Sequence, residues 1–229
     1  MNLPMCCCKK EFLLKIDETV LIMPSRDWDY FVKNFFGDYY IMWHDGIDST
    51  SVLALEGTER EKAENMLIKS IQKGSFWAPM GLRELRSQKA IPVMKEMLSS
   101  ASGDLLMEIA IALNVIEDTA EYYPNILRVL QEAPSAYTRL KAAINLRDFS
   151  TPDVIEALFD AVSDVDYLVR NSASNSLLAI YGFESMISDH EEIYQLIITH
   201  SNDVTGVSEK DAVDAYKKAE RMLRTLFEK

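Results

Sequence analysis

The stretch IEALFDAVSDVDYLVRNSASNSLLAI, residues 155–180, contains two amphipathic helix patterns separated by a short polar turn. Apolar residues at intervals of three and four lie on one face of an α-helix. Ser163 to Asp166 lie between the two patterns and have the composition of a helix end and an N-cap. The stretch therefore predicts a helical hairpin, with these inward-facing residues: Ile155, Leu158 and Val162, then Val169, Ala173, Leu177 and Ile180.

Two similar units precede this hairpin in the chain. Their first helices begin at Ile91 and Tyr123, so the three first helices start at the evenly spaced positions 91, 123 and 155. Their second helices begin at Leu105 and Thr138, and the three second helices start at 105, 138 and 169. A lone hairpin leaves its apolar stripe exposed, so a repeat at this regular interval predicts hairpins that stack and share one core.

One part of the repeat resembles a known family. Residues 164–173, Asp-Val-Asp-Tyr-Leu-Val-Arg-Asn-Ser-Ala, resemble the HEAT-like repeat first known from phycobilisome lyases, and Leu177 and Ile180 continue the pattern. The resemblance implies a ladder of Asp and Arg side chains between repeats. Arg139 matches Arg170, but Leu106 takes the equivalent place one repeat earlier, and Pro134-Ser135 stands where a turn Asp is expected. The implied ladder is therefore incomplete.

The resulting fold prediction is a mainly α protein, an α-α superhelix (HEAT-like solenoid) of about five helical hairpins. Residues 58–229 form the solenoid, and residues 1–57 form an N-terminal tail and a small, aromatic-rich, mixed α/β cap. The first hairpin is expected within 59–86 and the last within 189–227, where Ser208 and Asp211 resemble a capping box.

The cap is predicted from its own local patterns. Residues 12–23 favour β-structure, Ser25 begins a helix that ends before Gly37, and residues 39–43 favour a strand. Eight aromatic residues fall between Trp28 and Trp43. They indicate either a cover for the first hairpin or an aromatic recognition surface that includes Trp28 and Trp43, because Trp and Tyr are frequent at binding hot spots.

Composition narrows the range of partners. The net charge is -12, so nucleic acid and anionic membranes are not expected partners, and a protein partner, in particular a basic one, is favoured. The acidic residues could equally serve solubility alone. The three cysteines are Cys6, Cys7 and Cys8, which gives no spaced disulfide framework and predicts a reducing, cytoplasmic location.

No residue pattern points to catalysis, a metal or a cofactor. The histidines His44, His190 and His200 have no zinc-ligand spacing, and a phosphate-binding loop and a nucleophile elbow are both absent from the sequence. We therefore predict a non-enzymatic scaffold, adaptor or inhibitor. The alternative implied by the resemblance is an enzyme or enzyme subunit of the bilin lyase or DNA glycosylase branch.

Partner binding is predicted on the second helices, on the face opposite their buried stripe. In HEAT-like proteins these helices line the concave side. The alternative is that neighbouring helices cover this face and make its apolar members core. The predicted binding residues are Met107, Ile111 and Asn114; Leu140, Ile144 and Arg147; and Tyr167, Asn171, Asn175 and Leu178.

Overall fold

A computed structural model describes residues 24–200 and 206–228, and this part of the chain is helical without any β-strand. Its α-helices are separated by short turns, three of which are 3₁₀ turns. The helices are α1 (Arg26–Phe36), α2 (Tyr39–Asp45), α3 (Gly57–Ile71), α4 (Trp77–Glu84), α5 (Ile91–Met97), α6 (Gly103–Glu117), α7 (Tyr123–Glu132), α8 (Ala136–Leu146), α9 (Pro152–Ala161), α10 (Tyr167–Ile180), α11 (Glu191–Ile197) and α12 (Glu209–Phe227).

The helices begin where the sequence supplies caps. The side chains of Ser25 and Asp166 accept hydrogen bonds from backbone N–H groups in the first turns of α1 and α10. Ser208 and Asp211 form the predicted capping box at the start of α12. These side chains satisfy N–H groups that have no partner within the helix, which fixes the starting residue.

Successive helices pack as the five predicted pairs: α3 with α4, α5 with α6, α7 with α8, α9 with α10, and α11 with α12. The second helices also contact one another in sequence, α4 with α6, α6 with α8, and α8 with α10. The predicted stripes lie inside, since Met94, Ile126 and Leu158 of the first helices are almost fully buried. The prediction of a mainly α chain with neighbouring helices packed together is therefore confirmed.

The segment before α3 shares its core with the hairpins. Phe31 and Phe35 of α1 are buried, and they belong to the same hydrophobic core as Leu67 of α3 and Leu82 of α4. Contact is closest at Gly81, where an added Cβ would lie 2.6 Å from Cζ of Phe35. Helix α1 therefore covers the first hairpin, and glycine at position 81 permits the close approach.

The predicted strand at residues 39–43 is wrong, because these residues form α2. Asp38 caps the helix by accepting hydrogen bonds from the N–H groups of Tyr40 and Ile41. Gly46, with φ of 79°, ends it. The aromatic and β-branched composition favoured a strand, but a cap and a terminating glycine on either side of the segment favour two turns of helix. The β-structure predicted for residues 12–23, and Cys6 to Cys8, lie outside the described residues.

Two arginines connect consecutive hairpins. Arg139 of α8 forms a bidentate ion pair with Asp164, which lies in the turn of the next hairpin, through Nε–Oδ2 at 2.7 Å and Nη2–Oδ1 at 2.8 Å. Arg170 of α10 occupies the matching position one hairpin later and is fully buried. It donates to the carbonyl oxygens of Ile197 and Thr199, at the end of α11. The two arginines, one repeat apart in the sequence, thus occupy equivalent places in the architecture.

In the described part of the chain, none of the helices has both the length and the apolar content needed to cross a membrane.

Candidate functional site

The predicted binding face of the second helices is only partly accessible. Met107 and Leu178 are fully buried and Asn114 is nearly so, which corrects their assignment to an exposed groove. The physical reason is that α6 contacts α4, α5, α7 and α8, and α10 contacts α8, α9 and α11, so more than one face of each helix is covered. Of the remaining predicted residues, Ile111, Leu140, Ile144, Asn171 and Asn175 are half-buried, and Arg147 and Tyr167 are exposed.

The two tryptophans predicted as binding residues differ in environment. Trp28 is 8% exposed and packs on Phe31 at a ring-centroid distance of 5.5 Å, so it belongs to the core. Trp43 on α2 is 52% exposed. Only Trp43 is therefore available to a partner.

Trp43 forms one wall of a cavity of about 510 Å³ between α2, α4, α6 and α8. We call this cavity the aromatic cleft and define it by the four rings of Trp43, Phe76, Trp77 and Tyr137. Trp43 lies 6.1 Å from Phe76 and 6.1 Å from Tyr137, centroid to centroid. The other lining residues are Met42, His44, Gly46, Ile47, Met80, Glu108 and Lys141.

The aromatic side chains of α2 are exposed, because this helix packs on the rest of the protein mainly through one side chain, that of Met42. Met42 is 5% exposed, whereas Tyr39, Tyr40 and Ile41 are between 49% and 71% exposed. The edge of Tyr39 contacts Trp77 at 5.3 Å, which joins α2 to α4. Tyr137 of α8, which lines the cleft, is also exposed, at 58%. Large exposed aromatic patches of this kind are typical of binding surfaces.

A buried carboxylate lies within the cleft. Glu108 of α6 is 6% exposed, and its Oε2 and Oε1 lie 3.7 Å from Nη1 of Arg83 and 3.9 Å from Nζ of Lys141. Burial raises the pKa of Glu108 above its ordinary value, and the charges of Lys141 and Arg83 oppose this rise only in part, while Asp104 adds to it. Ionised Glu108 therefore costs the folded protein stability.

We expect Glu108→Gln to unfold at the same temperature as the wild type or higher at pH 7. A carboxyl whose pKa is raised on folding favours the folded state below its unfolded pKa, and this contribution is lost as the pH rises through the folded pKa. The advantage of the variant should therefore shrink as the pH is lowered from 7 towards 4. Thermal unfolding of both proteins across this range measures it, and a variant that is strongly destabilised at pH 7 would contradict the stated cause.

Lys141 connects the cleft to a second acid. Its Nζ bonds Oδ1 of Asp104 at 2.9 Å and lies 5.6 Å from the ring centroid of Phe76 and 5.7 Å from that of Tyr137. Asp104 also accepts a hydrogen bond from Thr138 of α8. This network fixes the register of α6 against α8 and positions a cation over two walls of the cleft.

A more open groove of about 560 Å³ runs between α11 and α12. It is lined by exposed Glu191, Glu192, Lys218 and Arg221, with Met222 and Leu226 at its floor. The groove has neither an aromatic wall nor a buried ionisable group among its lining residues. The aromatic cleft is for that reason the better candidate site.

The histidines of the described residues take part in local contacts. His190 bonds Ser185 at 2.9 Å, and His44 bonds the neighbouring Asp45 at 2.8 Å. Within residues 24–200 and 206–228, no group of three or more His, Cys, Asp or Glu side chains could hold a metal ion.

Of the residues that line the cleft, pattern reasoning identified Trp43 and missed the others, among them Phe76, Trp77, Tyr137 and Glu108. A usable signal existed for Glu108, which is the single charged residue in the otherwise apolar run from Leu105 to Leu113. A lone acid in a helix that is apolar all round lies in a buried or functional position.

Comparison of the chain with protein-family models, with curated proteins and with solved structures finds no match.

Proposed function

We propose that this chain is a non-enzymatic, HEAT-like helical scaffold that binds a protein partner at the aromatic cleft. The observation that carries the proposal is the exposure of Trp43 and Tyr137, two rings that line one cavity, together with exposed Tyr39 and Tyr40 on the same helix as Trp43. Burying such rings against a partner removes apolar area from water at little cost in side-chain entropy, which is why Tyr and Trp dominate interface hot spots.

The HEAT-like part of the proposal is supported by the paired helices and by the arginine contacts. Arg139 and Arg170 occur at equivalent positions, and each reaches into the following hairpin. The bidentate Arg139–Asp164 pair is the kind of contact that the Asp–Arg ladder of the family implies. An α-α superhelix, with the second helices on its inner side, is the architecture that we propose for the stacked pairs.

The cleft lies on the second helices, where binding was predicted, but none of the residues predicted on those helices lines it. Its walls come from α4, α6 and α8, which are the second helices of three consecutive hairpins. Half-buried Ile111 and Ile144 lie on two of these helices. We propose that a partner approaches from this side and first contacts the exposed rings of Trp43 and Tyr137.

Charge favours a basic partner. The net charge of -12 opposes binding to nucleic acid and attracts a positively charged protein. We propose a salt-sensitive interaction, because the contribution of exposed charges falls as salt screens them. An adaptor, or an inhibitor of a basic enzyme, fits this description. The lyase and glycosylase alternatives have the sequence resemblance as their sole support.

The proposal is tested by affinity capture from native lysate with two matched pairs of alanine substitutions. Trp43→Ala with Tyr137→Ala removes two rings of the cleft, whereas Val165→Ala with Met186→Ala removes exposed apolar side chains elsewhere. Val165 is 89% and Met186 55% exposed, so the control also alters apolar surface. We expect the cleft pair to lose a protein that the wild type and the control pair retain, as judged by quantitative mass spectrometry.

A further inference from the structure

Glu108 has an unusual environment for a buried carboxylate. Ionised acids in protein interiors are ordinarily hydrogen-bonded, because burial removes the water that would otherwise solvate them. In the described part of the chain, the side chain of Glu108 forms no hydrogen bond, and the nitrogens of its ion-pair partners Arg83 and Lys141 lie 3.7 and 3.9 Å from its oxygens. A carboxylate that faces a cavity of about 510 Å³ under these conditions has capacity to accept hydrogen bonds from a bound group.

The walls of the cavity favour a cation. The faces of aromatic rings carry partial negative charge, which attracts ammonium and guanidinium groups. The protein's own Lys141 shows this preference, since its Nζ lies over the rings of Phe76 and Tyr137. Trp43 and Trp77 line the same cavity, and neither has a cation placed over it in the described part of the chain.

The charges of the cleft are unevenly compensated. Glu108 and Lys141 line it, Lys141 pairs with Asp104, and Glu108 pairs with Arg83. Arg83 also lies 3.6 Å from Glu84, and Asp45 pairs with the lining residue His44. Of the two charged lining residues, Lys141 has a carboxylate at 2.9 Å, whereas Glu108 has no cation closer than 3.7 Å in the described part of the chain, so the negative charge of Glu108 is the less compensated.

We propose that the aromatic cleft receives an arginine side chain of the protein partner, with its guanidinium against Glu108 and the rings. This inference rests on the proposed function and specifies the chemistry of the group that is bound. Arginine fits better than lysine for two reasons. Its planar fork of N–H donors can engage both oxygens of one carboxylate, and its plane stacks on aromatic faces.

The test uses the full chain, labelled with ¹⁵N, and the capped peptide acetyl-Gly-Arg-Gly-amide as the probe. The chain contains three tryptophans, so three indole N–H signals report on binding. We expect the signals of Trp43 and Trp77 to shift saturably on titration. The signal of Trp28, which lies in the core away from the cleft, should stay in place and serves as the internal control.

Two matched controls isolate the role of charge. In the first, citrulline replaces arginine in the peptide, which keeps the shape and removes the charge. In the second, Glu108→Gln replaces the carboxylate of the cleft by an amide of the same shape. Glu132→Gln makes the same change at an exposed acid on α7 and serves as the control for Glu108→Gln. We expect citrulline to abolish saturation, Glu108→Gln to weaken binding about tenfold or more, and Glu132→Gln to leave it unchanged.

Equal shifts with the citrulline peptide, or no saturation with the arginine peptide, would overturn the inference. Equal saturation by tetramethylammonium or by acetyl-Gly-Lys-Gly-amide would overturn the assignment to arginine. The outcome is separable from that of the proposed function. If capture of the partner requires Trp43 and Tyr137 but tolerates Glu108→Gln, the scaffold proposal stands and the arginine inference fails.

Discussion

Replacing Arg170 by alanine is expected to lower the free energy of unfolding by about 3–5 kcal/mol, because a buried, multiply bonded cation is removed. The guanidinium donates to four backbone carbonyl oxygens: those of Asp164, Val165, Ile197 and Thr199. Its centre also lies 3.9 Å from the ring centroid of Tyr216 on α12. The substitution removes the guanidinium donor from all four carbonyl groups, of which that of Thr199 keeps the Tyr216 hydroxyl, and opens a cavity between α10 and the last hairpin.

The loss of stability in Arg170→Ala should be greatest in the last hairpin, formed by α11 and α12. Arg170 connects α10 to the end of α11, and Tyr216 donates to the same Thr199 carbonyl oxygen. Hydrogen exchange of Arg170→Ala should therefore accelerate in α11 and α12 more than in α3 to α6. Arg170→Lys is the matched control, since it keeps the charge but lacks the planar fork, and it should lie between alanine and the wild type. Uniformly faster exchange would contradict this account of Arg170.

Replacing Arg139 by alanine is expected to cost less, about 1–3 kcal/mol. Arg139 pairs with both oxygens of Asp164, and its Nη1 donates to the carbonyl oxygen of Ala133 at 2.8 Å. The pair with Asp164 raises the pKa of Arg139, so the guanidinium stays charged. The effect is smaller than at Arg170 because both side chains of the pair are 13% exposed and water can partly replace the lost contacts.

A double-mutant cycle with Asp164→Ala separates the ion pair from the other contacts of Arg139. Denaturant unfolding of both single variants and the double variant gives the coupling free energy. We expect coupling of about 1 kcal/mol or more in favour of the pair. Additive effects would show that Asp164, which also accepts a hydrogen bond from the N–H of Asp166, acts mainly within its own turn.

The repeated hairpins could be predicted because each helix carries its own signal. Intervals of three and four between apolar residues identified the stripes, and caps such as Asp166 and Ser208 identified the starts. The equivalence of Arg139 and Arg170 also followed from their spacing. What each arginine contacts did not follow, because Ile197 and Thr199 lie far beyond Arg170 in the sequence, in a hairpin whose docking depends on tertiary packing.

The segment from Tyr39 to Trp43 was predicted wrongly because its composition favoured a strand, whereas the residues that flank it favoured a helix. Aromatic and β-branched residues favour strands, but only where a sheet is present to pack against. The described residues contain no strand for this segment to pair with, and the one strongly buried side chain of α2 is Met42. Asp38 and Gly46, which bracket the segment, were the more informative residues.

The candidate site could be predicted in part. Trp43 was predicted as a binding residue from its aromatic surroundings, and it lines the cleft. The second helices were also predicted to bind, and α4, α6 and α8 contribute to the cleft, but none of the residues predicted on them lines it. The walls supplied by Phe76, Trp77 and Tyr137 could not be inferred, because they come from two hairpins that are not consecutive in the sequence. Met107 and Leu178 were misplaced because a helical wheel assumes one buried face, whereas a stacked second helix has several.

Binding of a protein at the aromatic cleft is tested most directly by affinity capture with the two pairs of substitutions. The decisive quantity is the amount of partner retained by Trp43→Ala with Tyr137→Ala, relative to Val165→Ala with Met186→Ala, at equal amounts of folded bait. We expect one protein to be retained by the wild type and by the control pair and to be lost from the cleft pair. Equal retention by both pairs of variants would contradict it.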